Sequence, residues 1–259
     1  MSDFIQFKIE DGVGMISLNR PDKYNSFVRE MALDLQSKLD ECESNELVRA
    51  VYLTGNGKAF CAGQDLAEAI DPNGPELSKI VSEHYNPIVL KIRSLNLPVV
   101  CAVNGVAAGA GANIALACDI TLASDESSFI QAFSKIGLIP DSGGTFFLPR
   151  IIGAQKAAAL MMLGDKVSAI DAEKMGMIYK VVAAADIQSE GIAMAKKLAK
   201  MPTYALALTK QALNSSVNNS LEAQLDLEDQ LQSKAGKSYD YEEGVNAFLE
   251  KRKPSFLGK

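Results

Sequence analysis

The chain has 259 residues, 47% of them hydrophobic, and a formal net charge of −6. That is enough apolar material for one large domain, or for one domain with an appendage. The acidic balance excludes a nucleic-acid binder, the lack of a long apolar run excludes a membrane-spanning helix, and a single histidine, His84, excludes HExxH and multi-histidine metal sites.

The start, "MSDFIQFKIEDG", has no basic n-region and no apolar h-region, which predicts no signal peptide. Cys42, Cys61, Cys101 and Cys118 lack CxxC spacing and read as free thiols of a reducing cytoplasm. "FIQFKIEDGVGMISLNRP" is two alternating runs meeting at Asp11-Gly12, a hairpin. Asn25 or Ser26 is placed to cap a helix carrying Met31, Leu35, Leu39 and Cys42. "RAVYLTGNG" is a buried strand ending in a glycine turn. Over residues 77–95, Leu77, Ile80, Val81, Tyr85, Ile88, Val89, Ile92 and Leu95 step by three and four, a long amphipathic helix. "LPVVCAVNG" reads as a strand, "AAGAGANIALACD" as a buried helix of small residues, and "ITLAS" and "SSFIQA" as short strands. Beyond Arg150 the pattern is mostly helical, with a break at Pro202. An α/β class follows, with strand–helix alternation over residues 1–200 and a helical segment over 201–259.

Several motifs fail on inspection. A GxGxxG frame from Gly109 meets Ile114 where glycine is required. There is no P-loop and no GxSxG elbow. His84, beside Val81 and Tyr85, reads as a helix-surface or core-edge residue rather than a catalyst. Two loops remain, "GKAFCAGQDL" after a strand and "AVNGVAAGAGANIALACDITLAS". Each brings small residues to a turn leading towards a helix, where backbone N–H groups lie open to a ligand. Taken singly, each turn is better explained by tight packing.

Taken together and in order, these blocks resemble the enoyl-CoA hydratase/isomerase (crotonase) superfamily. The likeness runs from "ISLNRPDKYNSF" through "KAFCAGQDL", "AVNGVAAGAGANIALACDI", "FSKIGLIPDSGGTFFLPRIIG" and "SAIDAEKMGMIYKVV" to "FLEKRKPSF". It implies a spiral of ββα units with a C-terminal helical trimerisation segment. It implies an acyl-CoA substrate, no cofactor beyond the CoA thioester, and a homotrimer or a hexamer made of two trimers, with pathway enzymes as further candidate partners. The implied oxyanion hole uses the backbone N–H groups of Ala62 and Ala110. For CoA the matching positions are Lys23, Tyr24, Lys58, Ala62, Gln64, Asp65 and Leu66, and, reaching from a neighbouring subunit, Phe248 and Lys251.

Hydratases of this superfamily use two glutamates to hold water, and the matching positions here are Asn113 and Phe133. Neither is a general base at neutral pH, which makes ordinary hydration a poor fit. The remaining carboxylate is Asp141, in "IPDSGG". On sequence alone Pro-Asp-Ser-Gly is a turn, and Asp141 is placed to cap a helix starting at Ser142. The blocks "YNP", "AAGAGA", "AFSKIGLIPDSGGT" and "FLPR" resemble the superfamily's branch of ring-1,2-epoxyphenylacetyl-CoA isomerases. That branch forms the oxepin-CoA and shifts Δ3 double bonds to Δ2. The resemblance makes Asp141 the acid/base, with Tyr85, Asn113, Phe133, Ile139 and Phe146 in the substrate pocket. Apolar neighbours would raise the Asp141 pKa and a capping bond would lower it, and the sequence does not rank the two. A hydratase or hydrolase with a repositioned water, and a non-catalytic acyl-CoA binder, stay open as alternatives.

Overall fold

A computed structural model describes residues 3–259; Met1 and Ser2, which open the expected N-terminal segment and 1–200 core, lie outside the described residues. The first hairpin forms as expected. Strands β1 (Ile5–Glu10) and β2 (Val13–Leu18) pair antiparallel around Asp11 and Gly12, whose positive φ values of 51° and 80° suit a tight two-residue turn. Helix α1 (Arg29–Ser44) buries Met31, Leu35, Leu39 and Cys42. Its cap is not as read. Val28 holds the cap position without a side-chain bond, and Asn25 is instead fully buried. The Asn25 amide accepts from Arg20 N–H at 2.8 Å and donates to the Asn56 and Ala59 carbonyls at 2.9 and 2.8 Å, stapling two loops together.

The chain then repeats one device. Strand β3 (Ala50–Gly55) leads into β4 (Ala59–Cys61), followed by short helices α2 (Leu66–Ala69) and α3 (Leu77–Lys79), a π-helical segment at Ile80–Tyr85, and α4 (Asn86–Ser94). Strand β5 (Val99–Val103) leads into β6 (Val106–Ala108) and α5 (Ala110–Ala117). Strand β7 (Ile120–Ser124) leads into β8 (Ser128–Ile130), a 3₁₀ turn at Ala132–Ile136, and helices α6 (Gly144–Ile152) and α7 (Ala154–Leu163). Each pair sends its first strand to one sheet and its second to another. With β9 (Lys166–Ser168), helix α8 (Ala169–Lys174) and β10 (Lys180–Val182), the sheet orders are β1-β2-β3-β5-β7-β10 and β4-β6-β8-β9. From β2 to β10 the larger sheet is parallel, as right-turning ββα repeats require.

The central strands β3 and β5 of the larger sheet are buried on both faces and are apolar at nearly every position, while the edge strand β1 alternates between buried and exposed. Ile16, Leu18, Val51, Leu53, Val99 and Cys101 face the main core with α1 and α4. Val13, Met15, Tyr52, Val100 and Leu122 face Ile187, Ala195 and Ala199 of helix α9 (Ile187–Ala199) on the outside. Three helices complete the chain: α10 (Thr203–Ser216), α11 (Leu221–Ala235) and α12 (Tyr239–Leu249). The lysine Lys210, 6% exposed, pins α10 to the spiral. Its ammonium donates to the Ile92 and Leu97 carbonyls and to Asp119 at 2.7, 3.1 and 2.8 Å.

The long helix over residues 77–95 differs from its reading. The π-helical segment resets its phase, so Leu77 is 49% exposed while His84 is fully buried. The His84 Nε2 lies 3.2 Å from Arg29 Nη1, and its Nδ1 has no partner among the described residues. Burial pushes its pKa down, consistent with a neutral ring packed into the core rather than a surface residue.

Candidate active site

Two backbone turns meet where β4 and β6 end. Phe27 N–H donates to the Gly63 carbonyl and Asp65 N–H to the Phe27 carbonyl, at 2.7 and 2.8 Å. In this parallel bridge the N–H of Gln64 itself faces away from Phe27. Among the described residues it donates to no carbonyl. Gly63 has φ +90°, and a β-carbon there would lie 3.4 Å from the Ala110 nitrogen, so glycine lets the turn touch the start of α5. Ala110 is the first residue of that helix, and its N–H is one of the four that a helix leaves unpaired. The two free donors, Gln64 N–H and Ala110 N–H, therefore stand together. Ala62 does not belong to this pair. Its N–H is already spent on the Tyr24 carbonyl at 2.9 Å, which corrects the expectation from sequence.

The Gln64 side chain is held at both ends. It accepts from the Tyr85 hydroxyl at 2.8 Å and donates to Glu68 Oε2 at 2.8 Å. Glu68 in turn accepts from Arg29 N–H at 2.9 Å. Tyr85 is buried against Phe27 in an edge-on pair. Its phenol pKa lies well above the usual range because of burial, with the charges of Cys61 and Asp141 adding to the effect.

Asp141 occupies the turn before α6, half-buried, where Ser142 and Gly143 both adopt positive φ (51° and 75°). Its side chain caps nothing. Gly143 holds the cap position, and the bond to the helix start runs from Gly144 N–H to the Asp141 carbonyl at 2.8 Å. Burial pushes the Asp141 carboxyl above the usual carboxylate range, against the opposing pull of the Ser142 hydroxyl, which donates to Oδ1 at 2.8 Å. Of the two effects the sequence left unranked, desolvation is the larger.

Asn113 does not line a pocket, contrary to expectation. It is fully buried under the Asp141 turn. Its Nδ2 donates to the Asp141 carbonyl at 2.9 Å, and its Oδ1 accepts from Gln131 Nε2 at 2.7 Å. A β-carbon on Gly144 would lie 2.4 Å from Asn113 Nδ2, so glycine is what admits the amide. Phe133 is buried with its ring 3.8 Å from the β-carbon position of Gly109, beside Ala110. Phe146 is 40% exposed, with the Arg150 guanidinium 3.8 Å above its ring, and Phe147 is the ring that packs under Gly143 and near Val89. Ile139 is 81% exposed, so this chain alone does not enclose it.

Of the residues expected at CoA, Lys23, Tyr24, Lys58 and Leu66 are exposed around the turn that ends at Gln64. Asp65 is otherwise engaged. It caps α2 through Ala67 N–H and pairs with Arg20 at 3.0 Å. Burial pushes its pKa up, but those bonds outweigh it and hold the carboxyl below the usual range. Phe248 and Lys251 lie exposed at the far end of α12. Sequence reasoning missed Gln131, Glu68 and the bond from the Ser142 hydroxyl to Asp141, which arise from contacts that carry no motif, whereas Phe147 was among the apolar neighbours expected around Asp141.

Comparison with known proteins gives the family of the chain. The enoyl-CoA hydratase/isomerase family model matches residues 8–259. The chain is 48% identical to the 1,2-epoxyphenylacetyl-CoA isomerase of Escherichia coli (strain K12), over 100% of both chains. It is 42% identical to a "Probable enoyl-CoA hydratase" of Rhodobacter capsulatus, over 98% of each. A solved enoyl-CoA hydratase from Bacillus anthracis superposes with a TM-score of 0.92 at 32% identity, covering 99% of this chain and 100% of that one. The two-sheet spiral with its helical C-terminal segment is the crotonase fold, and the chain belongs to the enoyl-CoA hydratase/isomerase family.

Proposed function

We propose that this chain is an acyl-CoA isomerase. It converts ring-1,2-epoxyphenylacetyl-CoA to the oxepin-CoA and shifts Δ3 double bonds to Δ2, with Asp141 moving the proton. The observation that carries this reading is a half-buried carboxylate with no cation partner among the described residues and a raised pKa, set beside the turn of two free N–H donors. Deprotonation next to a thioester carbonyl puts charge on the carbonyl oxygen. Gln64 N–H and Ala110 N–H are oriented to stabilise that enolate, and losing one such donor costs roughly 10²–10³ in rate. A group whose pKa approaches the working pH can both take and return a proton. No cofactor beyond the CoA thioester is needed for this chemistry. Asn113 and Phe133 favour isomerisation over hydration, since the first is committed to the Asp141 carbonyl and the second cannot hold a water.

The 48% identity over the full length of an epoxyphenylacetyl-CoA isomerase supports the aromatic substrate, and the Phe133 ring beside Ala110 offers it a wall. Assembly as a trimer, or as two trimers, is part of the same reading. It is supported by the exposed apolar side chains Leu213, Leu221, Leu225, Phe248 and Leu249 on the last three helices. Turnover of the ring epoxide in H₂¹⁸O tests the reaction class. An isomerase yields product of unchanged mass without solvent oxygen, whereas ¹⁸O in the product would make the chain a hydratase or hydrolase.

A further inference from the structure

Asp141 has two carboxylate oxygens, and the structure treats them differently. Oδ1 accepts from the Ser142 hydroxyl at 2.8 Å, while Oδ2 accepts from no other side chain among the described residues. Ser142 is 1% exposed, so its hydroxyl has no water to turn to. The residue is held in the left-handed region, at φ 51°, where a non-glycine residue is costly. The following Gly143 shares that conformation, and Asn113 clamps the Asp141 carbonyl from below. Backbone strain at Ser142 thus turns a buried hydroxyl back onto its neighbour's carboxylate.

We propose that Ser142 is a positioning residue for Asp141: its hydroxyl fixes Oδ1, leaves Oδ2 as the oxygen that exchanges the substrate proton, and sets how readily the carboxyl ionises. This rests on the acid/base reading of Asp141. A neutral hydroxyl donating to a carboxylate favours the ionised form, and with a smaller contribution from the backbone N–H of Asp141 itself it counters the desolvation that pushes the other way. The surroundings leave the hydroxyl that influence. The π-helical segment faces Asp141 with Tyr85, held neutral by burial. Helices α5 and α6 approach the turn with Asn113 and Phe147, which do not titrate. Arg93, 6.0 Å from the Phe147 ring, is paired with Asp119. No cation stands in for the serine.

The informative variant is Ser142→Gly, which deletes the hydroxyl yet accepts φ 51° without strain. Ser142→Ala, which keeps the β-carbon, serves as the second variant. Two readouts are taken. Carbon-13 NMR titration of labelled aspartate, with the Asp141 resonance assigned by its loss in Asp141→Asn, follows ionisation without catalysis. The pH dependence of kcat for 3-hexenoyl-CoA isomerisation follows its use. Deleting the hydroxyl is expected to move the Asp141 titration to higher pH by roughly one unit, a tenfold change, and to carry the acidic limb of kcat with it while KM changes little. An unmoved titration, or a loss of kcat equal at all pH with the limb in place, would make Ser142 a packing residue and overturn the proposal. A shifted titration in a protein whose Asp141→Asn variant keeps full activity would uphold the Ser142–Asp141 coupling and defeat only the isomerase mechanism.

Discussion

Burying a carboxylate without a cation has a cost that varies with pH, and Asp141 makes that cost measurable. Its folded pKa lies above its unfolded one, so between those values the native state holds more protons than the unfolded chain. Stability is therefore fully present below the ordinary carboxylate range and falls as pH rises through the folded pKa. Asp141→Asn removes the ionisation. Thermal melts should show it level with the wild type in acid and more stable at neutral pH, while its turnover drops at least roughly 10²-fold with CoA-ester binding kept. Asn113→Ala deletes the bond to the Asp141 carbonyl and strands Gln131 Nε2. It should cost about 1–3 kcal/mol in chemical denaturation, and kcat should fall roughly 10²-fold through misplacement of the acid. Asp141 and Ala110 were singled out by the family resemblance of the ordered blocks that hold them, since the residues alone read as a turn and a tightly packed loop. Ala62 was misread for Gln64 because strand phase, set by the distant Phe27, decides which N–H of a turn is free.

At the scale of elements, hydrophobic period carried the hairpin, α1, the central strands and the small-residue helix α5. It failed where elements are too short to have a period. Strands β4, β6, β8, β9 and β10 have three residues each, and of these only β8 was marked by its turn residues. The π-helical segment was invisible for a different reason. One extra residue per turn changes which side chains face inward without changing composition, and it exchanged Leu77 for His84 in the core. Two element-level tests follow. In Gly144→Ala the new methyl meets Asn113 at the head of α6. It should shift the Asp141 turn and lower kcat more than a Gly→Ala exchange in α12 at half-buried Gly244, where the nearest atom, on the Phe256 ring, would be 3.4 Å away. Lys210→Met removes the ammonium that joins α10 to the Ile92 and Leu97 carbonyls and to Asp119. Breaking such a buried pair should cost about 3–5 kcal/mol, read as early protease access to residues 201–259.

For the whole molecule, the alternation of strand pairs and helices announced an α/β chain, but not that successive strands part into two sheets. That division is what brings the Gln64 turn, the start of α5 and the Asp141 turn to one place, although they are far apart in sequence. The helical C-terminal segment was legible from its pattern, and its exposed apolar side chains are the basis of the proposed assembly. Sedimentation should accordingly give three or six times the 27.8 kDa chain mass, and a monomer at micromolar concentration would refute that assembly. The central claim is that Asp141 shuttles a proton along an acyl-CoA. It is tested most directly by incubating the protein with 3-hexenoyl-CoA in D₂O, wild type beside Asp141→Asn, and following the conjugated product by mass and NMR. The account predicts 2-hexenoyl-CoA with solvent deuterium at C4 and exchange at C2, formed by the wild type and at least roughly 10²-fold more slowly by the variant. Equal rates in the two proteins, or a 3-hydroxyacyl product in place of the shifted double bond, would contradict it.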